Sequence, residues 1–329
     1  MLPRPYACRP RACVLLACCG VAFGDTAALE RCSFEVVMVD DRPWKRLAAP
    51  QAPYWVLGAA LNYAYAMHFS YRIRLVRPYH WTDPYKGMQG SYPGWNKVLY
   101  FSELLRESQQ RCTWLLYLDC DAFVRAFVPF TSLLSDLARR YGLNTGNCEG
   151  TSAIFAREDP MPFLNLSSGP MPTGAVPAAP FINTGVFFVR ADCLSSRQLF
   201  ETWLSAAANL PRRRLWTTWP GEQGVLSQLL APGSYPEASS GISLPFKSSA
   251  VAVVNMTEIN SPWGHYIHHA WGTEATDHVL RRRAMVDSLL RLGAADPHVF
   301  GQLSRGILRH VTRWPRPVPQ KAVRYRSEV

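Results

Sequence analysis

Beyond its first two dozen residues this chain has no apolar run approaching the roughly 17–25 residues that a membrane-spanning helix needs, and it has no internal repeat and no low-complexity tract. A polytopic membrane protein and a repeat array are therefore excluded as readings. It has no Cys-x-x-Cys pair, so nothing suggests a zinc site of that kind. It also lacks a concentrated basic arm. The net charge is +11, yet the runs Arg212-Arg213-Arg214 and Arg281-Arg282-Arg283 are short. They read as solvated faces, with a diphosphate or an anionic acceptor as the sharper alternative, and nucleic acid is not an expected partner.

What is present begins with a basic and then apolar N-terminus. Arg4, Arg9 and Arg11 precede an apolar run of twelve residues from Ala12 to Phe23, followed by Gly24. This is the layout of a secretory signal peptide over 1–24, and the run is short for a retained anchor. Membrane association is expected only if that segment stays. Cleavage would remove three arginines and leave a net charge of +8. The sequons Asn165-Leu166-Ser167 and Asn255-Met256-Thr257 agree with an ER, Golgi or secreted location. Of nine cysteines, Cys32, Cys112, Cys120, Cys148 and Cys193 would remain, so at most two internal bridges form and one thiol is left over. The remaining ~305 residues suit one large α/β domain, expected over 25–305, with a basic tail at 306–329 whose residues from Thr312 read as disordered.

The most informative stretch is Trp114-Leu115-Leu116-Tyr117-Leu118-Asp119-Cys120-Asp121. An apolar run of strand character ends in two carboxylates one residue apart. Residues i and i+2 of an extended chain project to one side, so Asp119 and Asp121 can offer oxygens to one divalent cation while Cys120 points away. Magnesium and manganese accept such ligands and commonly bridge to phosphates. A surface turn after a strand is the plainer reading. The apolar approach argues instead for the carboxyl end of a buried strand, where open α/β sheets bind ligands.

Around this segment the pattern alternates strand and helix. Phe34–Val39 reads as a strand, Tyr54–His68 as a helix, Tyr71–Val76 as a strand and Trp95–Gln109 as a helix. After the acidic pair come a helix at Phe130–Tyr141, a strand at Ser152–Ala156, a long loop at Asp159–Pro180 and a strand at Phe181–Val189. The last contains Asn183-Thr184-Gly185, which signals a bulge or a close approach of backbone to a ligand. A helix at Ser195–Ala208, a helix at Val225–Leu230 and a β-rich run at Ala250–Val254 complete the pass. Glu222 lies near a helix N-terminus, where capping is its plain explanation.

Taken in order, Asn62-Tyr63-Ala64-Tyr65-Ala66, Trp95-Asn96-Lys97, Trp114 to Asp121, Asn183-Thr184-Gly185-Val186-Phe187, Glu222-Gln223 and His269-Ala270-Trp271-Gly272 resemble a known family. It is that of fungal α-galactosyl- and α-mannosyltransferases and plant xyloglucan α-xylosyltransferases. The resemblance covers roughly Phe34 to Gly272 and implies a GT-A-like, Rossmann-like fold with a mixed central sheet and helices on both faces. It implies a retaining glycosyltransferase that moves a hexose or pentose from a nucleotide sugar, commonly UDP-linked, to a glycan or glycoconjugate acceptor.

By the same resemblance the metal ligands are Asp119, Asp121 and His269, holding manganese with magnesium as the alternative, and His268 competes for the imidazole position. Lys97 is expected beside the diphosphate, its alternative being an exposed helix charge. Asp119, Asn183 and Gly185 are expected to face the donor, the glycine leaving room and the amide bonding a sugar hydroxyl. Glu222 and Gln223 are expected near the anomeric carbon, as nucleophile in a covalent route or as a stabiliser of positive charge in a same-face route. Two departures stand out: His265 follows Gly264 where an acidic residue is common, and Glu274 stands where some members carry a basic residue. They keep open a silent domain that binds glycans or a partner protein. A glycoside hydrolase would need two carboxyls flanking a glycosidic bond, which Asp119 and Asp121 on one strand end do not supply between themselves, though either could pair with Glu222. Trp81, Tyr85, Trp95, Trp216, Trp219 and Trp263 are the candidate acceptor platforms, with packing as their alternative.

Overall fold

The computed structural model describes residues 26–42, 52–78, 93–107, 112–158, 181–208, 221–230, 244–262, 264–270, 282–289, 305–306, 309 and 311–314. The N-terminal segment, the loop at 159–180, the sequon at Asn165, and Trp81, Tyr85, Trp216, Trp219, Trp263, Trp271 and Glu274 lie outside these residues.

The described strands are β1 (Ser33–Val39), β2 (Arg72–Pro78), β3 (Thr113–Leu118), β4 (Ala122–Val124), β5 (Ala153–Glu158), β6 (Phe181–Arg190), β7 (Val251–Asn255), β8 (Ile267–His269) and β9 (Val311–Trp314). The main sheet has seven strands in the order β7-β5-β6-β3-β1-β2-β9, and β4 and β8 form a small second sheet. β1 runs parallel to β2 and to β3, β2 to β9, and β5 to β7, whereas β6 runs antiparallel to both β3 and β5. It is a mixed α/β fold.

Apolar runs become strands here because both faces of the sheet are covered. Val36, Met38, Leu116 and Leu118 face one core, shared with α2 (Tyr54–His68) and α4 (Phe130–Tyr141). Val37, Leu115, Tyr117 and Phe187 face the other, shared with α3 (Trp95–Glu107), α5 (Leu194–Ala208) and α6 (Gly221–Leu230). Trp95 is fully buried in this second core. Its ring therefore packs and is not an acceptor platform.

Two disulfides, Cys32–Cys112 and Cys148–Cys193, use four of the five cysteines, and Cys120 keeps its thiol. The first joins the residues just before the paired strands β1 and β3. The expectation of a disordered tail from Thr312 needs correction. Leu75 to Pro78 of β2 pair with Val311 to Trp314, so those residues extend the sheet edge. Two short helices also went unforeseen, α1 (Thr26–Glu30) and α7 (Met256–Ile259), the latter capped by the Asn255 side chain, which accepts from the Thr257 amide.

Candidate metal and donor site

The direction of β6 sets the site. Leu118 at the end of β3 pairs with Val186, and the Asp119 amide donates to the Gly185 carbonyl at 2.8 Å. An antiparallel neighbour thus brings its own N-terminal Asn183-Thr184-Gly185 to the rim formed by the carboxyl ends of the parallel strands. The β5–β6 register shifts there, Phe155 pairing with Phe187 and Ala156 with Asn183, so the interruption is a bulge.

Beyond Asp121 the chain enters β4, which pairs with β8 so that Ala122 opposes His269 and Phe123 opposes His268. The Asp121 carbonyl also accepts from the Ala270 amide at 3.0 Å. Side chains alternate along a strand, and only one of the two histidines can turn inward. His269 is buried with Nε2 at 3.1 Å from Asp121 Oδ1. His268 points the other way, stacking on Phe123 with ring centroids 4.7 Å apart, and its burial pushes its pKa down to about 4. α2 fixes β4 in turn: Asn62 donates from Nδ2 to the Ala122 carbonyl at 2.9 Å and accepts from the Val124 amide at 3.1 Å.

The ligand atoms of Asp119, Asp121 and His269 all lie within 4.8 Å of one another. Two carboxylates and one imidazole suit a first-row divalent ion such as manganese, with magnesium less favoured by the nitrogen. Two acceptors facing each other at 3.1 Å repel unless a proton or a cation lies between them, so His269 and Asp121 have the arrangement of two ligands of one positive centre. The donor set therefore fits a metal ion. Cys120 turns away, as the alternation requires, and its thiol contacts Arg42. Burial, followed by the nearby carboxylates Asp121 and Asp40, holds that thiol well above its usual pKa.

Beneath the acidic pair lies a second charged layer. Lys97 sits in the first turn of α3 and Glu222 in the first turn of α6. The first turns of both helices therefore lie beside carboxylates, where the helix dipole favours negative charge. Lys97 is 3 % exposed and Glu222 1 % exposed. The Lys97 ammonium lies 3.2 Å from Asp119 Oδ1 and 3.3 Å from Glu222 Oε1, and it donates to the Thr184 carbonyl at 3.1 Å. It is not an exposed helix charge. Thr184 donates its hydroxyl to Glu222 Oε1 at 3.1 Å, the buried Tyr117 hydroxyl bonds Asp119, and the Trp203 indole donates to the Glu222 carbonyl at 2.9 Å. Burial raises the Glu222 pKa, an effect that Lys97 opposes and Asp119 reinforces.

Two acceptors in this layer, Glu222 Oε2 and Gln223 Oε1, are buried without a hydrogen-bond partner. Buried acceptors are nearly always satisfied, so each calls for a donor from a ligand or water. The carboxyl group of Glu222 also occupies the space that a Cβ on Gly94 would fill. Gly185 has the same relation to His269: a Cβ there would lie 2.7 Å from Nε2 and 2.8 Å from Nδ1. The room left by that glycine is thus taken by the imidazole. Asn183 is 5 % exposed, and its Oδ1 accepts from the Gly185 amide at 2.8 Å and from Asn260 Nδ2 at 3.0 Å.

The sequence pattern pointed to Asp119, Asp121, His269, Lys97, Asn183, Gly185 and Glu222, and all seven meet at this rim. Gln223 follows Glu222 in the same helical turn. Asn260, Thr184 and Tyr117 had no assigned role, and Asn62 had been quoted only as a family marker. Their signal was a polar group inside an apolar context, as in Ile259-Asn260-Ser261, which does not by itself say what the group faces.

No family model matches the chain, and no curated protein matches it. Several solved structures are similar to it, among them two glycosyltransferases. One is a glycosyltransferase involved in the glycosylation of the major capsid of PBCV-1, at 16 % identity over 77 % of this chain and 99 % of that one, with a TM-score of 0.40. The other is the galactosyltransferase LgtC in complex with donor and acceptor sugar analogues, at 12 % identity over 77 % of this chain and 94 % of that one, with a TM-score of 0.40.

Proposed function

We propose that this chain is a metal-dependent, retaining glycosyltransferase that transfers a hexose or pentose from a nucleotide sugar, UDP-linked in our reading, to a glycan acceptor in the secretory pathway. The observation that carries the proposal is the convergence of Asp119, Asp121 and His269 at one sheet rim, with Lys97 buried beneath. The charges support it. Three carboxylates, Asp119, Asp121 and Glu222, against the one ammonium of Lys97 leave an excess of negative charge that suits one divalent cation.

Asp119, Asp121 and His269 would hold a divalent ion, which would supply Lewis-acid stabilisation to a departing diphosphate. Lys97 keeps Asp119 in place and adds positive potential at the same rim. Glu222, ionised against Lys97 and nearly free of solvent, favours positive charge developing above it, as on a sugar whose leaving group departs. The unpartnered oxygens of Glu222 and Gln223 are suited to accept hydrogen bonds from sugar hydroxyls. We read the pair as acting electrostatically along a same-face route, with Glu222 Oε1 held by Lys97 and Thr184; in a covalent route the unpartnered Oε2 would be the nucleophile. The two disulfides accord with an oxidising compartment.

The test is binding calorimetry of UDP and GDP to the purified chain, with manganese, with magnesium and with chelator, beside Asp121→Ala. Manganese-dependent binding of one nucleotide, abolished by Asp121→Ala, is expected. Absence of nucleotide binding by a folded protein would refute the transferase reading and favour a silent domain.

A further inference from the structure

We propose that Asn260 is a positioning residue that fixes the proton of His269 on Nδ1, leaving Nε2 as a lone pair directed at the metal position beside Asp121. The inference rests on the metal site just described, but its argument is a chain of donors and acceptors in which each link forces the next.

The first link is a main-chain amide, which can only donate. Gly185 N–H points at Asn183 Oδ1 at 2.8 Å, so that atom is the oxygen of the amide and not its nitrogen. The second link follows, since the Asn260 atom 3.0 Å from this oxygen, and 3.2 Å from the Asn183 carbonyl, faces two acceptors and has to be the NH2 group. The other end of the Asn260 amide is then an oxygen, and it is the atom that contacts His269 Nδ1. An oxygen can only accept, so Nδ1 carries the proton. In the neutral ring the lone pair is thereby assigned to Nε2, 3.1 Å from Asp121 Oδ1.

The alternative tautomer has a strong local attraction that Asn260 is placed to defeat. With the proton on Nε2, His269 would donate to Asp121 and the two would close on each other, removing a lone pair from each of two ligands. Asn260 prevents this by offering Nδ1 an acceptor that cannot become a donor without breaking both bonds to Asn183. The amide is itself held rigidly. Asn260 is 1 % exposed and closes the short α7, its own N–H donating to the Met256 carbonyl at 2.8 Å. Asn183, at the bulge of β6, is thus tied through Asn260 to the metal ligand. Outer partners of ligating histidines act in this way, and their loss typically weakens metal binding by about 10–100-fold.

The experiment uses the full chain labelled with 15N-histidine, freed of metal with chelator at a pH above imidazole titration, with the His269 signals assigned by loss in His269→Gln. Long-range 1H–15N spectra should show His269 protonated on Nδ1 in the unsubstituted protein and shifted toward the Nε2-protonated form in Asn260→Ala. Manganese titrations followed by electron paramagnetic resonance should show affinity falling by about 10–100-fold in Asn260→Ala. Asn260→Asp keeps an acceptor opposite Nδ1 while losing the donor to Asn183, and should retain the Nδ1–H tautomer even as the tie to Asn183 is lost. An Nε2-protonated His269 in the unsubstituted protein would overturn the proposal. So would an Asn260→Ala protein with the same tautomer and manganese affinity within twofold. If Asn260→Ala fails to fold, the tautomers of the unsubstituted protein and of Asn260→Asp decide. If no form binds manganese while the tautomer still follows Asn260, the metal reading fails and the positioning role stands.

Discussion

Replacing Lys97 by methionine tests the buried charge layer most directly. The side chain is nearly isosteric, but its removal leaves Glu222, 1 % exposed, with Thr184 and its own backbone amide as polar contacts and no cation. Breaking one partner out of a buried pair costs about 3–5 kcal/mol, because the remaining charge is uncompensated. Asp119 loses the same partner but is partly exposed, so solvent offsets most of its share. We therefore expect Lys97→Met to lose about 3–5 kcal/mol at neutral pH, read from urea unfolding with an unchanged slope.

The pH dependence carries a sign. Burial raises the folded-state pKa of Glu222 above its unfolded value, so the folded state binds its proton more tightly. Between the unfolded and folded values stability falls as pH rises, and above both the full penalty is present. Without Lys97 the folded value moves further up, so the deficit of Lys97→Met should shrink as pH is lowered through it. In the double variant Lys97→Met/Glu222→Gln the carboxylate is gone, and the pair should show a coupling energy of about 1–3 kcal/mol with little pH dependence. Additive effects of the two substitutions, within about 0.5 kcal/mol, or a deficit that does not change with pH, would show that Glu222 does not depend on Lys97.

Gly185→Ala should lose about 1–3 kcal/mol by overpacking and should weaken manganese binding, since the new methyl group displaces the His269 ring; unchanged thermal unfolding and titration curves would contradict the packing. His268→Ala should leave manganese affinity within twofold while His269→Ala abolishes it, because His268 stacks on Phe123 on the other side of β8. The double variant Cys148→Ala/Cys193→Ala removes a bridge across a sequence separation of 45 and should cost about 2–4 kcal/mol in urea unfolding.

The large elements were legible because their signals are local. Phe130–Tyr141 repeats its apolar residues at helical spacing, and Phe181–Val189 is too apolar and β-branched to be stable outside a covered sheet. β4 and β8 were not legible. Each is three residues long, and their strand character comes from pairing across more than 140 residues of sequence. The choice between His268 and His269 rested on a family spacing, and the structure supplies its physical reason in the alternation of β8 against β4. The Lys97–Glu222 pair was visible only as two separate charges near helix starts, because nothing in either segment encodes the other. The disulfide partners were equally silent, since the odd cysteine count limits how many bridges form without saying which.

The orientation of β6 explains why these separate signals meet. In a sheet parallel throughout, the strand beside β3 would bring its carboxyl-terminal Val189-Arg190 to the rim where Asp119 emerges. Because β6 runs the other way, Arg190 pairs with Trp114 at the opposite end, and the polar, bulged Asn183-Thr184-Gly185 arrives beside Asp119. Each of those three residues then has a distinct use. The Thr184 carbonyl and hydroxyl hold Lys97 and Glu222, Gly185 admits the imidazole, and Asn183 anchors the amide that orients it. A polar interruption that weakens β6 as a strand is thereby compensated by bonds to Lys97, Glu222, Asp119 and Asn260. The bulge and the proposed metal ligands are consequently expected to loosen together: a substitution in any one of the three should disturb His269 even where it leaves the apolar half of β6 intact.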